Sequence, residues 1–260
     1  MNAIVVYKPL SVNTDCGVYI IREKLDLVFF CVAIPTMFVS VLTVTYNRSR
    51  FFPGLIQRYL AQDYPLSRME WLILDDGAKE EQAATKQLLE SADIPNLRYI
   101  QAATEQKPMG QKLNQLAALC KGDVIVIMDD DDIYPPTRVS SAVHVFTTNP
   151  SATIAGCSKV YMYFEEDDTI YVTGPYHDKH ALHCTLAYRK SYLLDHRYDD
   201  EELCAVENAF TNNFRENIHQ LEPTTTILHV VHSSNTYQKK RSVGFIRPTS
   251  WSKDTFFTKI

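Results

Sequence analysis

Four consecutive aspartates, Asp129, Asp130, Asp131 and Asp132, end an apolar run in the segment GDVIVIMDDDDIYPP at residues 122–136. Neighbouring carboxylates about 6 Å apart repel each other by roughly 3 kcal/mol per pair at an effective dielectric of about 20. A positively charged partner is therefore expected beside them. An EF-hand loop does not fit, because its sixth position requires glycine and this segment has tyrosine there.

Two further polar clusters follow apolar runs in the same way. TYNR at residues 45–48 follows VSVLTV, and DDG at residues 75–77 follows EWLIL. In an open α/β sheet, ligands bind outside the carboxyl ends of the strands, so the three clusters are expected to line one crevice. Each cluster alone also has a plainer interpretation, because DDG is typical of a turn and acidic residues favour a helix N-terminus.

The elements that must position these clusters alternate between short apolar runs and longer helical stretches. This pattern predicts an α/β fold with a mixed, mostly parallel central sheet flanked by helices. Strands are predicted at residues 39–44, 70–76, 96–101 and 123–128, and helices at residues 51–62, 79–91, 110–121 and after Pro135 and Pro136.

The second half of the chain reads as a smaller α+β region. A hairpin is predicted from residues 159–164 and 169–174, a helix from about 201–217, and a strand from 225–231. The segment after residue 232 is polar and basic, and it is predicted to be a mobile tail.

Composition limits the class of protein. The 260 residues are 45% hydrophobic, which is enough for one large α/β domain with a substantial core. The net charge of -5 argues against a nucleic-acid-binding surface. Six cysteines are scattered without a C-x-x-C pair, which favours free thiols in a reducing compartment. Because the N-terminus shows no signal-peptide pattern, the predicted location is the cytoplasm.

One apolar segment challenges that location. Residues 27–44 carry no charge and are just long enough for a membrane span. Pro35 and Thr36 interrupt the segment, and β-branched residues dominate both halves. Two buried strands joined at residues 34–36 are therefore favoured, with a membrane helix as the open alternative.

Together, V-S-V-L-T-V-T-Y-N-R, W-L-I-L-D-D-G and G-D-V-I-V-I-M-D-D-D-D-I-Y-P-P resemble the family 2 glycosyltransferases of the GT-A fold. The resemblance implies an inverting enzyme that transfers a hexose or pentose from a nucleotide-sugar to a glycan hydroxyl. A UDP-sugar is the favoured donor, with dTDP- and GDP-sugars as alternatives. The implied division is an N-terminal extension packed on the core (1–38), a nucleotide-sugar-binding half (39–146), an acceptor-side half (147–232) and a mobile basic tail (233–260).

The resemblance also assigns roles to individual residues. The nucleotide-binding set that it implies is Thr45, Tyr46, Asn47, Asp76, Lys112, Asp129 and Asp130. Asp76 matches the acid that accepts a hydrogen bond from the base, which suits uracil or thymine because both donate from N3. Asp130 stands at the variable position of the D-x-D-D segment. Asp131, Asp132 and His232 match the ligands of a Mg²⁺ or Mn²⁺ ion, which would neutralise charge on the leaving diphosphate.

Inversion requires a base that takes a proton from the attacking hydroxyl. The resemblance places this base at a helix start in DDEELCAVENAF, and Glu207 is the candidate, with Phe210 packing one turn later. A different alignment places Asn208 at the catalytic position. The acids at residues 199–202 are competitors, although a run of acids before a helix is also typical of a solvated first turn.

Histidines and basic residues of the second half carry weaker signals. His229 lies three residues before His232 and, by strand alternation, is expected on the opposite face. Lys239, Lys240 and Arg241 could close over a diphosphate or remain solvated. The loop YHDKHALH at residues 176–183 is interpreted as an acceptor-side loop rather than a second metal site.

Two other functions stay open. A nucleotidyltransferase of related fold is one, but it would need a glycine-rich basic loop after the first strand, and TYNRSR lacks glycine. A degenerate domain that binds nucleotide-sugar without turnover is the other, and it depends on the assignment of Glu207. The expected partners are a nucleotide-sugar and a glycan or glycoconjugate, with no nucleic acid and no membrane span.

Overall fold

The computed structural model describes residues 17–23, 26–32, 37–103, 105–235 and 246–256. The chain divides into two compact units, Met1–Thr36 and Met37–Ile260. In the first unit, strands β1 (Gly17–Glu23) and β2 (Asp26–Val32) pair antiparallel. The first half of the apolar segment therefore contains a strand, while its predicted junction at residues 34–36 lies outside the described residues. Within the described part of the chain, none of the helices has the length and apolar character that crossing a membrane requires.

The second unit alternates strands and helices as the sequence predicts. Its strands are β3 (Val39–Thr45), β4 (Met69–Asp75), β5 (Leu97–Gln101), β6 (Val124–Ile127), β7 (Ile154–Gly156), β8 (Val160–Phe164), β9 (Thr169–Thr173), β10 (Ala187–Arg189), β11 (His219–Gln220), β12 (Leu228–Val231) and β13 (Ile246–Pro248). Its helices are α1 (Phe52–Leu60), α2 (Lys79–Ser91), α3 (Met109–Leu119), α4 (Arg138–Thr148), α5 (Glu207–Phe210), α6 (Pro223–Thr226) and α7 (Lys253–Phe256).

The central sheet has seven strands in the order β11-β7-β10-β6-β3-β4-β5. Strands β6, β3, β4 and β5 run parallel, whereas β10 runs antiparallel to both of its neighbours. This arrangement confirms the predicted mixed, mostly parallel sheet. Because β3, β4 and β6 are parallel neighbours, the polar clusters that follow them meet at one edge of the sheet.

Both faces of the central strands are buried. On β4, Trp71 and Ile73 pack in one apolar cluster, and Leu72 and Leu74 pack in the other. Helices α1, α2 and α4 contribute to the first cluster, and α3 contributes to the second. Double-sided burial explains why these strands are continuous apolar runs without alternating polar residues.

The predicted hairpin is present as β8 and β9, and it belongs to a second sheet with the order β12-β8-β9-β13. Strand β13 and helix α7 lie in the segment predicted to be a mobile tail. This part of the tail is ordered because β13 pairs with β9 and because Phe256 is buried against the ring of Tyr161. The basic cluster at residues 239–241 lies outside the described residues.

The predicted helix at residues 201–217 is wrong in length, because only the four residues of α5 are helical. Backbone φ angles are positive at Ala205 (54°) and again at Asn212, Asn213 and Phe214. Left-handed residues end a right-handed helix, and asparagine adopts this conformation more readily than most residues do. The chain therefore turns away on both sides of α5.

Candidate active site

The loop after β3 and the acidic segment after β6 form one crevice, as predicted. The Thr45 hydroxyl donates to Asp130 Oδ2 over 2.6 Å. A single guanidinium nitrogen of Arg48, Nη1, contacts Asp130 Oδ1 and Asp131 Oδ2, each at 2.8 Å. Arg48 is therefore the positive partner that the row of aspartates requires in this structure.

Asp131 Oδ2 receives three contacts from two parts of the chain, the β3 loop and the turn after β12. Besides Arg48, His232 Nε2 lies 3.2 Å away and the Asn235 side-chain amide donates over 3.2 Å. The backbone N–H of His232 donates to Asn235 Oδ1, so the turn after β12 holds both residues in place. The Arg48 guanidinium also donates to the carbonyl of Ser234 over 3.0 Å, which fastens this turn to the β3 loop.

The acids of the segment differ in the direction of their pKa shifts. Burial and the charge of Asp131 raise the pKa of Asp130 to about 6, although Arg48 and Thr45 oppose the shift. Burial and the three neighbouring carboxylates also raise the pKa of Asp129. Burial alone would raise the pKa of Asp131, but the hydrogen bond with His232 and the charge of Arg48 lower it below its usual value. Asp131 is thus the acid most strongly held in its charged form.

Asp132 does not join Asp131 and His232. Its carboxylate contacts His229 Nδ1 at 2.8 Å and accepts a hydrogen bond from the backbone N–H of Val230 over 2.8 Å. The predicted ligand set Asp131, Asp132 and His232 is therefore divided between two sides. The division agrees with strand alternation, which is expected to separate His229 from His232.

The turn after β4 brings Asp76 and Lys112 together in a buried ion pair of 2.9 Å. The other carboxylate oxygen of Asp76 accepts the backbone N–H of Lys107 over 2.6 Å, and the residue has no exposed surface. Next to it, Gly77 lies so close to the β3 loop that a Cβ atom would come within 2.8 Å of the backbone nitrogen of Asn47. Glycine is therefore required where these two loops approach each other.

The remaining two residues of the β3 loop border the start of α2. Asn47, at a φ of 55°, accepts the backbone N–H of Ala78 on its Oδ1 over 2.7 Å. Tyr46 lines a surface cavity of about 350 Å³ together with Ala78, Lys79 and Glu80. This cavity adjoins the turn that carries Asp76.

Glu207 begins helix α5, which the ring of Phe210 anchors by stacking on Tyr198 at a centroid distance of 3.9 Å. Tyr198 is fully buried, and burial is the main cause that raises the pKa of its phenol. The charges of Tyr188, Asp129 and Glu207 also raise this pKa.

Asn114 holds the loop that leads to α5. Its side chain donates to the carbonyl of Tyr198 and accepts from the backbone N–H of the same residue, over 2.8 Å and 3.0 Å. It also donates to Asp200, which pairs with Arg197. Asp200, a competitor for the role of base, is therefore occupied in anchoring this loop.

The loop at residues 176–183 forms an aromatic cluster. The rings of Tyr176 and His177 lie within 6 Å of His180, and His180 packs on Phe214 at 4.6 Å. Burial lowers the pKa of His180 to about 4, and burial lowers that of His183 to about 3. Both histidines are therefore neutral at physiological pH.

Two contacts of the crevice were missed from the sequence. Asn235 and Ser234 follow a strand but resemble ordinary turn residues, so no pattern marks them. The motif TYNR contains Arg48 but assigns it no role. A basic side chain at the same sheet edge as four acids is nevertheless a usable signal for the positive partner of those acids.

The comparison with protein families gives the identity of the chain. Residues 40–189 match the sequence model described as glycosyl transferase family 2. The chain belongs to glycosyltransferase family 2. The match includes every strand from β3 to β10 in the central sheet, and it therefore covers Thr45, Asp76 and the four aspartates.

Curated relatives match less than half of this family 2 chain. A protein named undecaprenyl-phosphate 4-deoxy-4-formamido-L-arabinose transferase, from Pseudomonas savastanoi pv. phaseolicola, is 30% identical over 112 residues, which are 42% of this chain and 32% of the relative. One named glucosyl-dolichyl phosphate glucuronosyltransferase, from Haloferax volcanii, is 29% identical over 122 residues, 46% of this chain and 37% of the relative. The matches thus span about a third of the relatives' length.

Solved structures show the fold of the family 2 chain. A mannosyltransferase from Pyrobaculum calidifontis, in complex with GDP-Man and Mn²⁺, superposes with a TM-score of 0.61 at 16% identity, over 76% of this chain and 58% of the other. TarS 1-349 from S. aureus, in complex with UDP-GlcNAc, gives a TM-score of 0.61 at 20% identity, over 76% and 59%. The family 2 chain has the GT-A fold that the sequence predicted.

Proposed function

We propose that this chain transfers a sugar from a UDP-sugar to a glycan hydroxyl with inversion at the anomeric carbon. Residues 39–146 would bind the donor and residues 147–232 the acceptor. The observation that carries the proposal is the acidic crevice, where Asp130 and Asp131 meet Thr45 and Arg48 at the carboxyl edge of a GT-A sheet. Neighbours of this fold were solved with UDP-GlcNAc and GDP-Man.

The nucleoside would lie between the β3 loop and the turn after β4. Tyr46 lines the cavity there, and Asn47 and Asp76 border it through the same turn. Each oxygen of Asp76 already accepts one hydrogen bond, and a carboxylate oxygen has a second lone pair for the N3–H of uracil. Since Asp76 is buried under Lys107, we expect the loop around Lys107 to move when the base binds.

A divalent cation suits the same crevice. Asp131, with His232 beside it and Asp129 nearby, offers hard oxygen ligands and an imidazole, which are donors that Mn²⁺ accepts. Arg48 Nη1, which lies 2.8 Å from both Asp130 and Asp131, supports the proposal because it is a positive group held between two of these carboxylates. When bound, Mn²⁺ or Mg²⁺ would offset the charge that develops on the departing diphosphate.

Glu207 is the proposed base. As a carboxylate on the acceptor-side half, it would accept the proton of the attacking hydroxyl while the glycosidic bond to the diphosphate breaks. The proposal is supported by the position of Glu207 at the start of α5, which the ring of Phe210 holds against the buried Tyr198. Attack from the side opposite the diphosphate inverts the anomeric configuration.

The donor half is tested by titrating UDP into the protein with and without Mn²⁺ in a calorimeter. We expect Mn²⁺ to tighten UDP binding at least tenfold, about 1.4 kcal/mol. The same UDP affinity with and without the metal would refute a metal-dependent donor site. A variant of an exposed acid outside the crevice, Asp178→Asn, should behave as the wild type.

The catalytic half is tested by Glu207→Gln, which should abolish sugar transfer and leave UDP affinity within about twofold. Glu201→Gln, an exposed acid of the same loop, is the matched control and should remain active. A fully active Glu207→Gln would remove this residue as the base. If the wild type binds UDP with Mn²⁺ but neither transfers nor hydrolyses any nucleotide-sugar, the chain is a binding domain without turnover, which Asn208 next to Glu207 would explain.

A further inference from the structure

A second group of metal-ligating side chains lies on the other side of the acidic segment. The ligand atoms of Asp132, Cys184 and His229 all lie within 4.8 Å of one another, and within the described residues no other His, Cys, Asp or Glu cluster meets this criterion. Among the described residues, the structure shows no hydrogen bond from these ligand atoms to Asp131 or His232. The group is therefore distinct from the proposed Mn²⁺ or Mg²⁺ ligands.

The three side chains come from three elements that are fixed to one another. Asp132 follows β6, Cys184 lies in the short 3-10 turn His183–Thr185 before β10, and His229 is on β12. Residues Ile133 and Leu228 exchange two backbone hydrogen bonds of 3.1 Å and 2.8 Å, which lock the acidic segment to β12. The ligands are thus positioned by backbone pairing before any ion arrives.

The carboxylate has the orientation that a metal ligand needs. The backbone N–H of Val230 donates to Asp132 Oδ1 over 2.8 Å and orients the group, while Oδ2 faces His229 Nδ1 at 3.0 Å. Proteins hold ligating carboxylates in place through such hydrogen bonds, which come from groups that do not bind the metal themselves. Asp132 has no exposed side-chain surface, and His229 is 13% exposed, so an ion would reach the group along the imidazole.

We propose that Asp132, Cys184 and His229 bind a borderline-soft divalent cation of the Zn²⁺ class. Thiolate, imidazole and carboxylate together form a typical three-residue zinc set that leaves one position for water. Hard cations such as Mg²⁺ and Mn²⁺ do not favour the sulfur ligand, so the two sites differ in metal preference. Binding releases the thiol proton of Cys184 and replaces the Asp132–His229 hydrogen bond with two bonds to the ion.

The required movement is small. Ligands at zinc distances of about 2.0 to 2.3 Å in a tetrahedron lie roughly 3.4 to 3.7 Å apart. The Asp132 and His229 atoms, now 2.8 Å apart, would separate by roughly 0.6 Å. The sulfur of Cys184, within 4.8 Å of both, would approach by up to about 1.3 Å.

Cobalt(II) provides a direct test on the full chain, because thiolate ligation of cobalt gives a near-ultraviolet charge-transfer band that oxygen and nitrogen ligands do not. After treatment with a chelator and its removal, the wild type should develop this band with one equivalent of Co²⁺. Cys184→Ser should lose the band. Cys120→Ser, which alters an equally buried thiol bonded to a helix carbonyl, should keep it.

Zinc affinity gives the second readout, measured by competition with a chromophoric chelator. His229→Gln should weaken Zn²⁺ binding at least tenfold, whereas His144→Gln, at an exposed position on α4, should not. A wild type without the cobalt band, or zinc affinity that is unchanged in His229→Gln, would overturn the proposal. If Cys184→Ser does not fold, the wild-type cobalt band and its competition by Zn²⁺ still decide the question.

The same samples separate this inference from the proposed function. Mn²⁺-dependent UDP binding depends on Asp131 and should survive in Cys184→Ser. Failure of UDP binding with an intact cobalt band would refute only the transferase proposal, and the reverse result would refute only the zinc site.

Discussion

Two adjacent acids of this chain each pair with a histidine, and the two pairs have different surroundings. Besides His232, Asp131 contacts the long side chain of Arg48 and the side-chain amide of Asn235. Besides His229, Asp132 contacts a backbone N–H, which cannot rotate away. Both acids are almost completely buried, so exposure does not distinguish them.

The comparison shows that the remaining partners decide what an Asp–His pair can do. A side chain such as Arg48 can withdraw when a ligand arrives, so Asp131 is able to exchange the guanidinium for a metal ion. Asp132 is bound to the strand itself, so its contacts fix the position of β12. We therefore expect Asp131 to be mainly functional and Asp132 to be mainly structural in the absence of zinc.

The largest effect should come from Asp132→Asn. In the presence of a chelator, we expect the free energy of unfolding to fall by about 2 to 3 kcal/mol, because a buried acceptor loses its charge while His229 stays in place. Urea denaturation measures the change, with Asp178→Asn as the exposed control. A loss below about 0.5 kcal/mol would show that this pair does not stabilise the fold.

The companion substitution Asp131→Asn should reverse the pattern. Stability should change by less than about 1 kcal/mol, because the variant loses attraction to Arg48 but also loses repulsion from two neighbouring carboxylates. Mn²⁺-dependent UDP affinity should drop at least tenfold, about 1.4 kcal/mol, in the calorimeter. If UDP affinity were unchanged, Asp131 would not belong to the donor site.

A double-mutant cycle with Arg48→Gln sharpens the contrast. Arg48 touches Asp131 directly, so the two substitutions should couple by about 1 kcal/mol in urea denaturation. Arg48→Gln and Asp132→Asn should be additive within about 0.5 kcal/mol, because no contact joins these side chains in the structure. Equal coupling in both cycles would mean that the segment responds as one unit.

A third pair, Glu216 with His196, supplies the smallest expected effect. Burial alone would raise the pKa of Glu216, but hydrogen bonds from His196, Tyr192 and Asn212 lower it below its usual value. A lowered carboxyl pKa stabilises the fold above the unfolded value, and this stabilisation is lost as the pH falls through the folded value.

Glu216→Gln should therefore cost about 0.5 to 1 kcal/mol at pH 7, a modest figure because solvent reaches the pair. The difference from the wild type should shrink as the pH falls below the ordinary glutamate range, and it should disappear once the Glu216 carboxyl is protonated in the folded state as well. Thermal unfolding at several pH values measures it. A cost that persists at low pH would come from packing rather than charge.

The sequence predicted those parts of the fold that depend on local pattern. Helix α2 begins and ends where expected, and the buried strands β3, β4 and β6 were recognisable because a strand covered on both faces is apolar throughout. The meeting of the three polar clusters followed from the parallel order alone, since carboxyl ends of parallel neighbours share one edge.

Features that depend on distant contacts were not predictable in this way. The short α5 results from left-handed residues such as Ala205, which no propensity indicates. The ordering of residues 246–256 depends on pairing with β9, more than seventy positions earlier. The side on which Asp132 lies depends on how β12 docks, and a D-x-D-D pattern contains no information about that docking.

Arg48 also joins parts of the chain that are synthesised at different times. Its bond to Asp131 joins residues 83 positions apart, and its bond to Ser234 joins residues 186 positions apart. During synthesis from the amino end, the guanidinium therefore leaves the ribosome before the two carboxylates that it contacts. The turn that fastens it is made last of the three, so Arg48 can join the β3 loop, the acidic segment and this turn only after residue 234 has been synthesised.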